Sequence, residues 1–265
     1  AVLFIVRRFV IGTLLFFLAV LGYSQADEVP VSIKPLTAMK RWAIVIGASE
    51  YKTLGELRYA ANDAKAFANA LIEDFGFAES SVIQLIDEEG TSPTSANVLA
   101  ALDNALKSPL LNKGDLFVLY FSGHGIGTPK GDFLVPTDVP LERVEQESIP
   151  VKTVIGKFVA AGLKNVLVIS DACRAGEKNT FGKELEQLSK QANIGVMLGC
   201  QPGSRSYEWD RQRHGYSTHY LLQALKKTEL RQEGTGALWA SEIGKFVREE
   251  VQNATARTQD IPQVP

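Results

Sequence analysis

Short, unbroken apolar runs alternate along the chain with segments whose apolar residues recur every three or four positions. The three strongest runs cover residues 42–48, 115–122 and 165–170, and they are rich in β-branched and aromatic side chains. Runs of this kind predict strands that are buried on both faces of a parallel sheet. Weaker runs at 82–86 and 195–199 are interpreted in the same way.

The intervening segments have the period of amphipathic helices. In the first of them, Ala64, Phe67, Ala68 and Leu71 share one helical face, and Asn62 is expected to cap the helix. Further helices are predicted over residues 95–106, 151–158, 216–226 and 240–254. This alternation predicts an α/β fold with a mostly parallel central sheet and helices on both faces. In such sheets, ligands bind beyond the carboxyl ends of the strands.

Composition narrows the class of protein. Apolar residues make up 45% of the 265 positions and charged residues 22%, which predicts a packed globular core. The formal net charge of −2 gives no sign of a basic surface for nucleic acid, so no nucleic-acid partner is expected. Cys173 and Cys200 are too few for a disulfide framework, and we interpret them as independent.

The first 26 residues have the order of a secretory signal. Arg7 and Arg8 precede an apolar stretch over 9–22, and small residues at Ser24 and Ala26 follow. Cleavage there predicts an exported protein, periplasmic or secreted. An uncleaved anchor in the inner membrane stays open as the alternative, and only then would the protein contact a membrane. Residues 27–40 are interpreted as a polar linker.

Two of the strong strands lead into reactive side chains. The run ending at Ser122 continues into His124, which lies between two glycines, and the run ending at Ser170 continues into Cys173. If the strands are neighbours, an imidazole and a thiol meet at one edge of the sheet, where the imidazole can accept the proton of the thiol. The backbone N–H groups of Gly125 and Cys173 are candidates for an oxyanion hole. The alternatives are a buried cysteine and a turn histidine.

These features carry a family resemblance. The chain resembles the caspase family, and within it the metacaspases and bacterial orthocaspases, in six ordered motifs: Trp42-Ala-Ile-Val-Ile-Gly47, Asn62-Asp63-Ala64, Tyr120-Phe-Ser-Gly-His-Gly125, Phe133-Leu-Val-Pro-Thr-Asp138, Asp171-Ala-Cys-Arg-Ala-Gly176 and Gly215-Tyr-Ser-Thr-His-Tyr-Leu221. The resemblance implies a three-layer sandwich with about six strands over 41–265. It also implies a large-subunit-like part at 41–176, a loop at 177–192 and a small-subunit-like part at 193–265.

The resemblance implies an endopeptidase that works through a Cys–His dyad and an acyl-enzyme thioester. Cys173 would attack the scissile carbonyl, and His124, oriented by a backbone carbonyl, would protonate the leaving amine. Protein or peptide substrates are therefore expected, and no cofactor is required. Calcium activation, which is frequent in metacaspases, has no assigned site, and a metal site is not predicted because ligands at familiar spacing are missing.

One departure from caspases concerns specificity. Caspases have glutamine two residues before the nucleophile, in a pocket that accepts aspartate, whereas this chain has Asp171. Like charges repel, so Asp171 favours a basic side chain in the P1 pocket. Asp63 matches the second acidic residue of the metacaspase pocket. The alternative for Asp63 is a first-turn carboxylate that interacts with the helix dipole. Together they predict cleavage after Arg or Lys.

Several points stay open at this level. The polar segment after Cys173 is interpreted either as a self-cleavage loop, cut after Lys178 or Lys183, or as an ordinary surface loop. The oligomeric state, monomer or dimer, is undecided. The alternatives to a peptidase are a catalytically silent caspase-like binding scaffold and a different thiol hydrolase or transferase on the same fold.

Overall fold

A computed structural model describes residues 30–31, 39–88, 90–174, 180–201, 204–233 and 237–265. For Pro30, Val31, Cys173 and Arg174 the description is limited to the backbone. The predicted signal segment 1–26 and Lys178 lie outside these ranges. Within them, no helix combines the length and the apolar character needed to cross a membrane.

The strands and helices alternate along the described ranges. The strands are β1 (Pro30–Val31), β2 (Arg41–Gly47), β3 (Val82–Ile86), β4 (Leu116–Thr128), β5 (Gly131–Val135), β6 (Ile149–Pro150), β7 (Asn165–Arg174), β8 (Gly195–Leu198), β9 (Glu208–Trp209), β10 (His214–Gly215) and β11 (Leu238–Trp239). The helices are α1 (Ala60–Glu73), α2 (Ser95–Leu106), α3 (Val144–Glu147), α4 (Val151–Ala161), α5 (Lys183–Ala192), α6 (Tyr216–Lys226) and α7 (Ala240–Thr255).

The main sheet is built around β4. This strand pairs in parallel with β2 on one side and with β7 on the other, and β3 and β8 extend the parallel sheet at the two outer positions. Beyond the end of β2, β4 continues and pairs antiparallel with β5, which pairs with β6. The mostly parallel sheet is confirmed, with seven strands in the described residues where about six were expected.

Helices cover both faces, as the apolar pattern predicts. Alternate residues of β4 point to opposite faces of the sheet. Phe117, Leu119 and Phe121 belong to a buried cluster with residues of α2, α4 and α5, whereas Val118 and Tyr120 pack with residues of α1, α6 and α7. The three-layer architecture is therefore confirmed, with one apolar core on each side of the sheet.

β4 and β7 are longer than the sequence pattern indicated. The expectation that they end at Ser122 and Ser170 is wrong, because the β4–β7 ladder continues to the pair of Gly125 and Arg174. The polar motif residues interrupt the apolar run but not the backbone pairing, since β5 supplies a partner for the far end of β4. His124 and Cys173 therefore lie inside strands rather than in loops after them.

Two helix boundaries also differ from expectation. Asn62 does not cap α1, which begins at Ala60; its side-chain amide donates to the backbone oxygen of Arg213 at 2.7 Å. Residues 177–192 are not a continuous loop, because α5 begins at Lys183. The cap of α5 comes from Asp132, whose Oδ2 accepts from the backbone N–H groups of three residues: Gly182 at 2.9 Å, Glu184 at 2.8 Å and Leu185 at 3.0 Å.

Candidate active site

Strand register brings the predicted base and nucleophile together. In the parallel β4–β7 ladder, His124 is paired with Cys173, and two residues earlier Ser122 is paired with Asp171. Neighbouring strands lie about 4.8 Å apart. Two residues 49 positions apart in sequence are thus backbone neighbours, as expected if the two strong strands are adjacent.

A backbone carbonyl orients the imidazole of His124. The ring nitrogen Nε2 lies 2.7 Å from the oxygen of Gly55, and the side chain is buried. A carbonyl oxygen can only accept a hydrogen bond, so Nε2 carries the proton in the neutral ring. Nδ1 is then the nitrogen that can exchange a proton with a thiol. A carbonyl in this role is what the family resemblance implied.

The backbone of His124 is held by a tyrosine hydroxyl. The N–H of His124 donates to Tyr51 Oη at 2.8 Å, and this hydroxyl donates to the backbone oxygen of Val135 at 2.9 Å. Tyr51 therefore bridges β4 and β5 where the histidine lies, and its ring packs against the imidazole with centroids 4.4 Å apart. The hydroxyl fixes the position of the strand that carries the base.

One loop supplies both contacts to His124. Tyr51 and Gly55 lie between β2 and α1, and the start of this loop is fixed by Asp87, whose Oδ2 accepts from the backbone N–H of Ser49 at 2.6 Å. The hydroxyl oxygen of Ser49 accepts from the N–H of Ala61 at 2.9 Å, which ties the loop to α1. Sequence analysis did not identify Tyr51 or Gly55, because an irregular segment has no period that would reveal its contacts.

Asp171 is buried within a ring of donors. Its Oδ1 accepts from Ser206 Oγ at 2.7 Å, and its Oδ2 accepts from the backbone N–H and Oγ1 of Thr218 at 3.0 and 2.7 Å. Burial raises the pKa of Asp171, while the hydrogen bonds from Thr218 and Ser206 act in the opposite direction. Thr218 belongs to the motif at 215–221 that carries the family resemblance, but nothing in the spacing of Ser206 or Thr218 points to Asp171.

Asp63 lies in the first turn of α1 and also faces the chain around β10. Its Oδ1 is 2.7 Å from Nδ1 of His214, and the N–H of Gly215 donates to both of its oxygens at 3.2 and 3.1 Å. Ser122 Oγ donates to Oδ2 at 3.3 Å. Burial raises the pKa of Asp63 to about 7; the hydrogen bond to His214 opposes the shift and the charge of Asp171 adds to it.

The carboxylates of Asp63 and Asp171 both lie close to Gly215. A Cβ atom added to Gly215 would lie 2.7 Å from Oδ2 of Asp171 and 3.2 Å from Oδ2 of Asp63. We call Asp63 and Asp171 the acidic pair. Among the residues that the structure describes, no lysine or arginine forms an ion pair with either carboxylate, and His214 is the one basic partner. The acidic pair therefore has negative charge that a cationic ligand could neutralise.

For the predicted oxyanion-hole residues, Gly125 and Cys173, the position is given by backbone pairing. Gly125 pairs with Leu134 of β5 on one side and with Arg174 of β7 on the other. It is therefore next to the dyad, and its role in an oxyanion hole stays a prediction, as does that of the Cys173 N–H. In the described ranges, no group of three or more His, Cys, Asp or Glu side chains is arranged to hold a metal ion.

Comparison with known proteins places the chain among caspase-like sequences. The family model "Caspase domain" matches residues 40–265. Metacaspase-4 of Arabidopsis thaliana is 31% identical over 168 residues, which cover 58% of this chain and 38% of that protein. Metacaspase-1A of Aspergillus niger is 34% identical over 96 residues, which cover 35% of this chain and 23% of that protein. The chain thus spans well under half the length of these relatives.

A solved structure shares the fold. Caspase-1 from Spodoptera frugiperda superimposes with a TM-score of 0.57 over 85% of this chain and 84% of its own, at 12% sequence identity. At this identity the likeness concerns the arrangement of the sheet and helices.

Proposed function

This chain belongs to the caspase family of cysteine peptidases, and we propose that it is an endopeptidase that cleaves after Arg or Lys. The observation that carries the specificity is the acidic pair, which is buried and has no described lysine or arginine as a partner. The chemistry is assigned to His124 and Cys173, which are paired across neighbouring strands.

The proposed reaction has two steps. Nδ1 of His124 accepts the thiol proton of Cys173, and the thiolate attacks the scissile carbonyl carbon. When the tetrahedral intermediate collapses, the C–N bond breaks, His124 donates the proton to the leaving amine, and a thioester remains. Water, deprotonated by His124, then attacks the thioester and restores the thiol. The bond from His124 to Gly55 supports this assignment, because it fixes the tautomer that leaves Nδ1 for the thiol.

The developing negative charge on the carbonyl oxygen needs fixed donors. We assign this role to the backbone N–H groups of Gly125 and Cys173. Gly125 directly follows His124 and is paired with Arg174, the residue after Cys173, so its backbone lies beside the proposed dyad, which supports the assignment.

The P1 residue is assigned from charge. A guanidinium can donate two parallel hydrogen bonds to a carboxylate, and an ammonium can donate three from a single point, so both match an anionic site. An aspartate side chain would add a third negative charge beside Asp63 and Asp171. The acidic pair therefore favours basic P1 residues and excludes the acidic ones that caspases accept.

Self-processing is part of the proposal, and the structure favours one of the two candidate positions. The bond after Lys183 lies in the first turn of α5, where Asp132 holds the N–H groups of the flanking Gly182 and Glu184. A peptidase binds extended chain, so this turn would have to open before cleavage. We therefore assign self-cleavage to the bond after Lys178, which a Lys178→Ala variant tests by remaining a single chain.

Export by residues 1–26 is also a proposal, with retention as a membrane anchor as the alternative. N-terminal sequencing of the mature protein distinguishes them. A start at Asp27 supports cleavage, and a start well before it supports the anchor.

Fluorogenic peptides that differ at P1 test the proposed function. Under reducing conditions, with and without calcium, we expect turnover of the Arg and Lys peptides and none of the Asp peptide, and no turnover by Cys173→Ala. A preference for Asp would contradict the assigned specificity. The absence of all turnover in both conditions would favour a silent binding scaffold.

Asp171→Asn tests the specificity without touching the dyad. We expect kcat/KM for the Arg peptide to fall about 100-fold, since loss of a charge-assisted partner in a buried site is large. The rate at which iodoacetamide alkylates Cys173 should not change. The exposed Asp74→Asn is the matched control, and unaltered Arg cleavage in Asp171→Asn would refute the role of the acidic pair.

A further inference from the structure

We propose that Gln263 is a positioning residue for Asp171, and that it acts through Ser206 by setting which way the Ser206 hydroxyl donates. The inference rests on the proposed role of Asp171 in binding the P1 cation. It concerns a residue near the end of the chain, 92 positions after Asp171, that no motif in the sequence links to the active site.

The side-chain amide of Gln263 is completely buried and has polar partners on both of its terminal atoms. Nε2 lies 3.1 Å from Ser206 Oγ, 2.7 Å from Ser217 Oγ and 2.7 Å from the oxygen of Gly199. Oε1 accepts from the backbone N–H of Tyr207 at 2.9 Å. Since a backbone N–H can only donate, this last contact fixes which end of the amide is oxygen and which is nitrogen.

The direction of the hydrogen bonds follows from proton counting. Ser206 has one hydroxyl proton, and an ionised Asp171 can only accept, so this proton is donated to Oδ1 of Asp171. In its contact with Gln263, Ser206 Oγ is then the acceptor, and Nε2 shares its two protons among the oxygens of Ser206, Ser217 and Gly199. The amide thus prevents Ser206 from turning its proton away from Asp171, and the acid keeps a fixed donor on Oδ1.

The second oxygen of Asp171 is held by an analogous relay. Thr218 Oγ1 donates to Oδ2, so the hydroxyl of Tyr120, 2.6 Å from Thr218 Oγ1, is the donor in that pair. Both relays orient Asp171 with neutral groups. A lysine or arginine in the place of Gln263 would also hold Ser206, but it would neutralise the charge that the substrate must meet.

The tail that carries Gln263 is itself anchored beside the acidic pair. The backbone N–H of Gln263 donates to Thr255 Oγ1 at 2.9 Å, and the backbone oxygen of Val264 accepts from the N–H of Gln201 at 2.6 Å. Residues after α7 therefore return to the segment between β8 and β9, and this places the side chain of Gln263 next to Ser206.

The test is a double-mutant cycle on an Arg peptide substrate. Gln263→Met removes the amide at similar volume, and we expect KM to rise about tenfold, the effect of one hydrogen bond that supports a charged group, with kcat changed by less than about threefold. Ser206→Ala should raise KM by a similar factor. In the Ser206→Ala background, Gln263→Met should have less than half of its effect on log KM, because the link is already broken.

The controls separate positioning from general loss of structure. The alkylation rate of Cys173 by iodoacetamide should match the unmodified protein in each variant, and Gln252→Met, on α7, should leave KM unchanged. An unchanged KM in Gln263→Met, or an equal effect in both backgrounds, overturns the inference while the proposed function stands. If Gln263→Met does not fold, an unchanged KM in Ser206→Ala overturns it. Absence of Arg cleavage by the unmodified protein overturns both proposals.

Discussion

The strands β4 and β7 carry two sites, two residues apart, that are built in different ways. The pair of His124 and Cys173 is placed by strand register, and its described support comes from one loop and from β5. The pair of Ser122 and Asp171 lies two residues earlier in the same ladder. The residues that surround it, however, come from segments spread over most of the chain.

The residues around the acidic pair are neither periodic nor close in sequence. Asp63 comes from α1, His214 from β10 and Thr218 from α6, while Ser206 and Gln263 come from irregular segments. This difference indicates that the position of the proposed dyad follows from the fold itself, whereas the proposed specificity depends on polar contacts added around it. Substitutions should therefore separate the two: changes at the dyad should affect kcat, and changes at the acidic pair should affect KM and P1 preference.

The largest effect is expected at the dyad. His124→Ala removes the proposed general acid and base, and we expect kcat to fall by about 10²- to 10⁴-fold. Binding of an Arg peptide, measured by fluorescence polarisation, should stay within about twofold, because the acidic pair is untouched. His219→Ala, at a half-buried histidine of α6, is the control. Loss of peptide binding in His124→Ala would show that the two sites are not separable.

The next largest effect is expected between the carboxylates. Gly215→Ala places a methyl group 2.7 Å from Asp171 and 3.2 Å from Asp63, so both must move. We expect KM for the Arg peptide to rise about 30-fold, as for loss of a charge-assisted contact, with Cys173 alkylation unchanged. Gly156→Ala on α4, where an added Cβ meets nothing within 4 Å, should not alter KM. A normal KM in Gly215→Ala would contradict the described geometry.

A smaller effect is expected from pH. Since burial raises the pKa of Asp63 to about 7, this carboxyl is mainly neutral at pH 6 and mainly ionised at pH 8. Affinity for an Arg peptide should therefore increase up to about tenfold over this range, as the ionised fraction does. Cys173→Ala protein is used for the binding measurement, so that the thiol does not titrate.

Among the residues that the structure describes, His214 and Asp171 are the other ionisable side chains next to Asp63. The Asp63→Asn variant removes the predicted titration and is the control for their contribution. If the affinity of Asp63→Asn rises with pH as steeply as that of the Cys173→Ala parent, the dependence belongs to another group.

The smallest effect on activity is expected at the bridge between β4 and β5. Tyr51→Phe leaves the N–H of His124 and the oxygen of Val135 without the hydroxyl that joins them. We expect the free energy of unfolding to drop by about 2 kcal/mol and kcat to fall about fivefold, with KM unchanged. Tyr59→Phe, whose hydroxyl contacts exposed Asp210, should change neither. A changed KM in Tyr51→Phe would contradict its assignment to the dyad alone.

Much of the scaffold could be predicted from the sequence. The bounds of β3 and α6 were predicted to the residue, because an apolar run or an apolar stripe marks each of them. The proximity of His124 and Cys173 was expected on the condition that their strands are neighbours, because ligands bind at the carboxyl ends of parallel strands. These features depend on local pattern and on topology, which the sequence records directly.

Contacts between irregular segments could not be predicted in this way. Gly55 orients His124 through a backbone oxygen, which every residue possesses, so no residue type signals it. Asp132 caps α5 from 50 positions away along the chain, so no residue next to the helix signals where it begins. Gln263 is an ordinary polar residue in a tail, and only its burial against Ser206 reveals a role.

The central proposal is that the acidic pair binds the positive charge of the P1 side chain. The arrangement of His124 and Cys173 does not depend on the acidic pair. The most direct measurement is the ratio of kcat/KM for two peptides that differ only in having arginine or citrulline at P1, since citrulline keeps the shape of arginine without its charge. We predict a ratio above about 100 for the unmodified protein and a ratio of about ten or less for Asp171→Asn, in which Asp63 is the carboxylate left of the acidic pair. Equal cleavage of the two peptides by the unmodified protein would contradict the account.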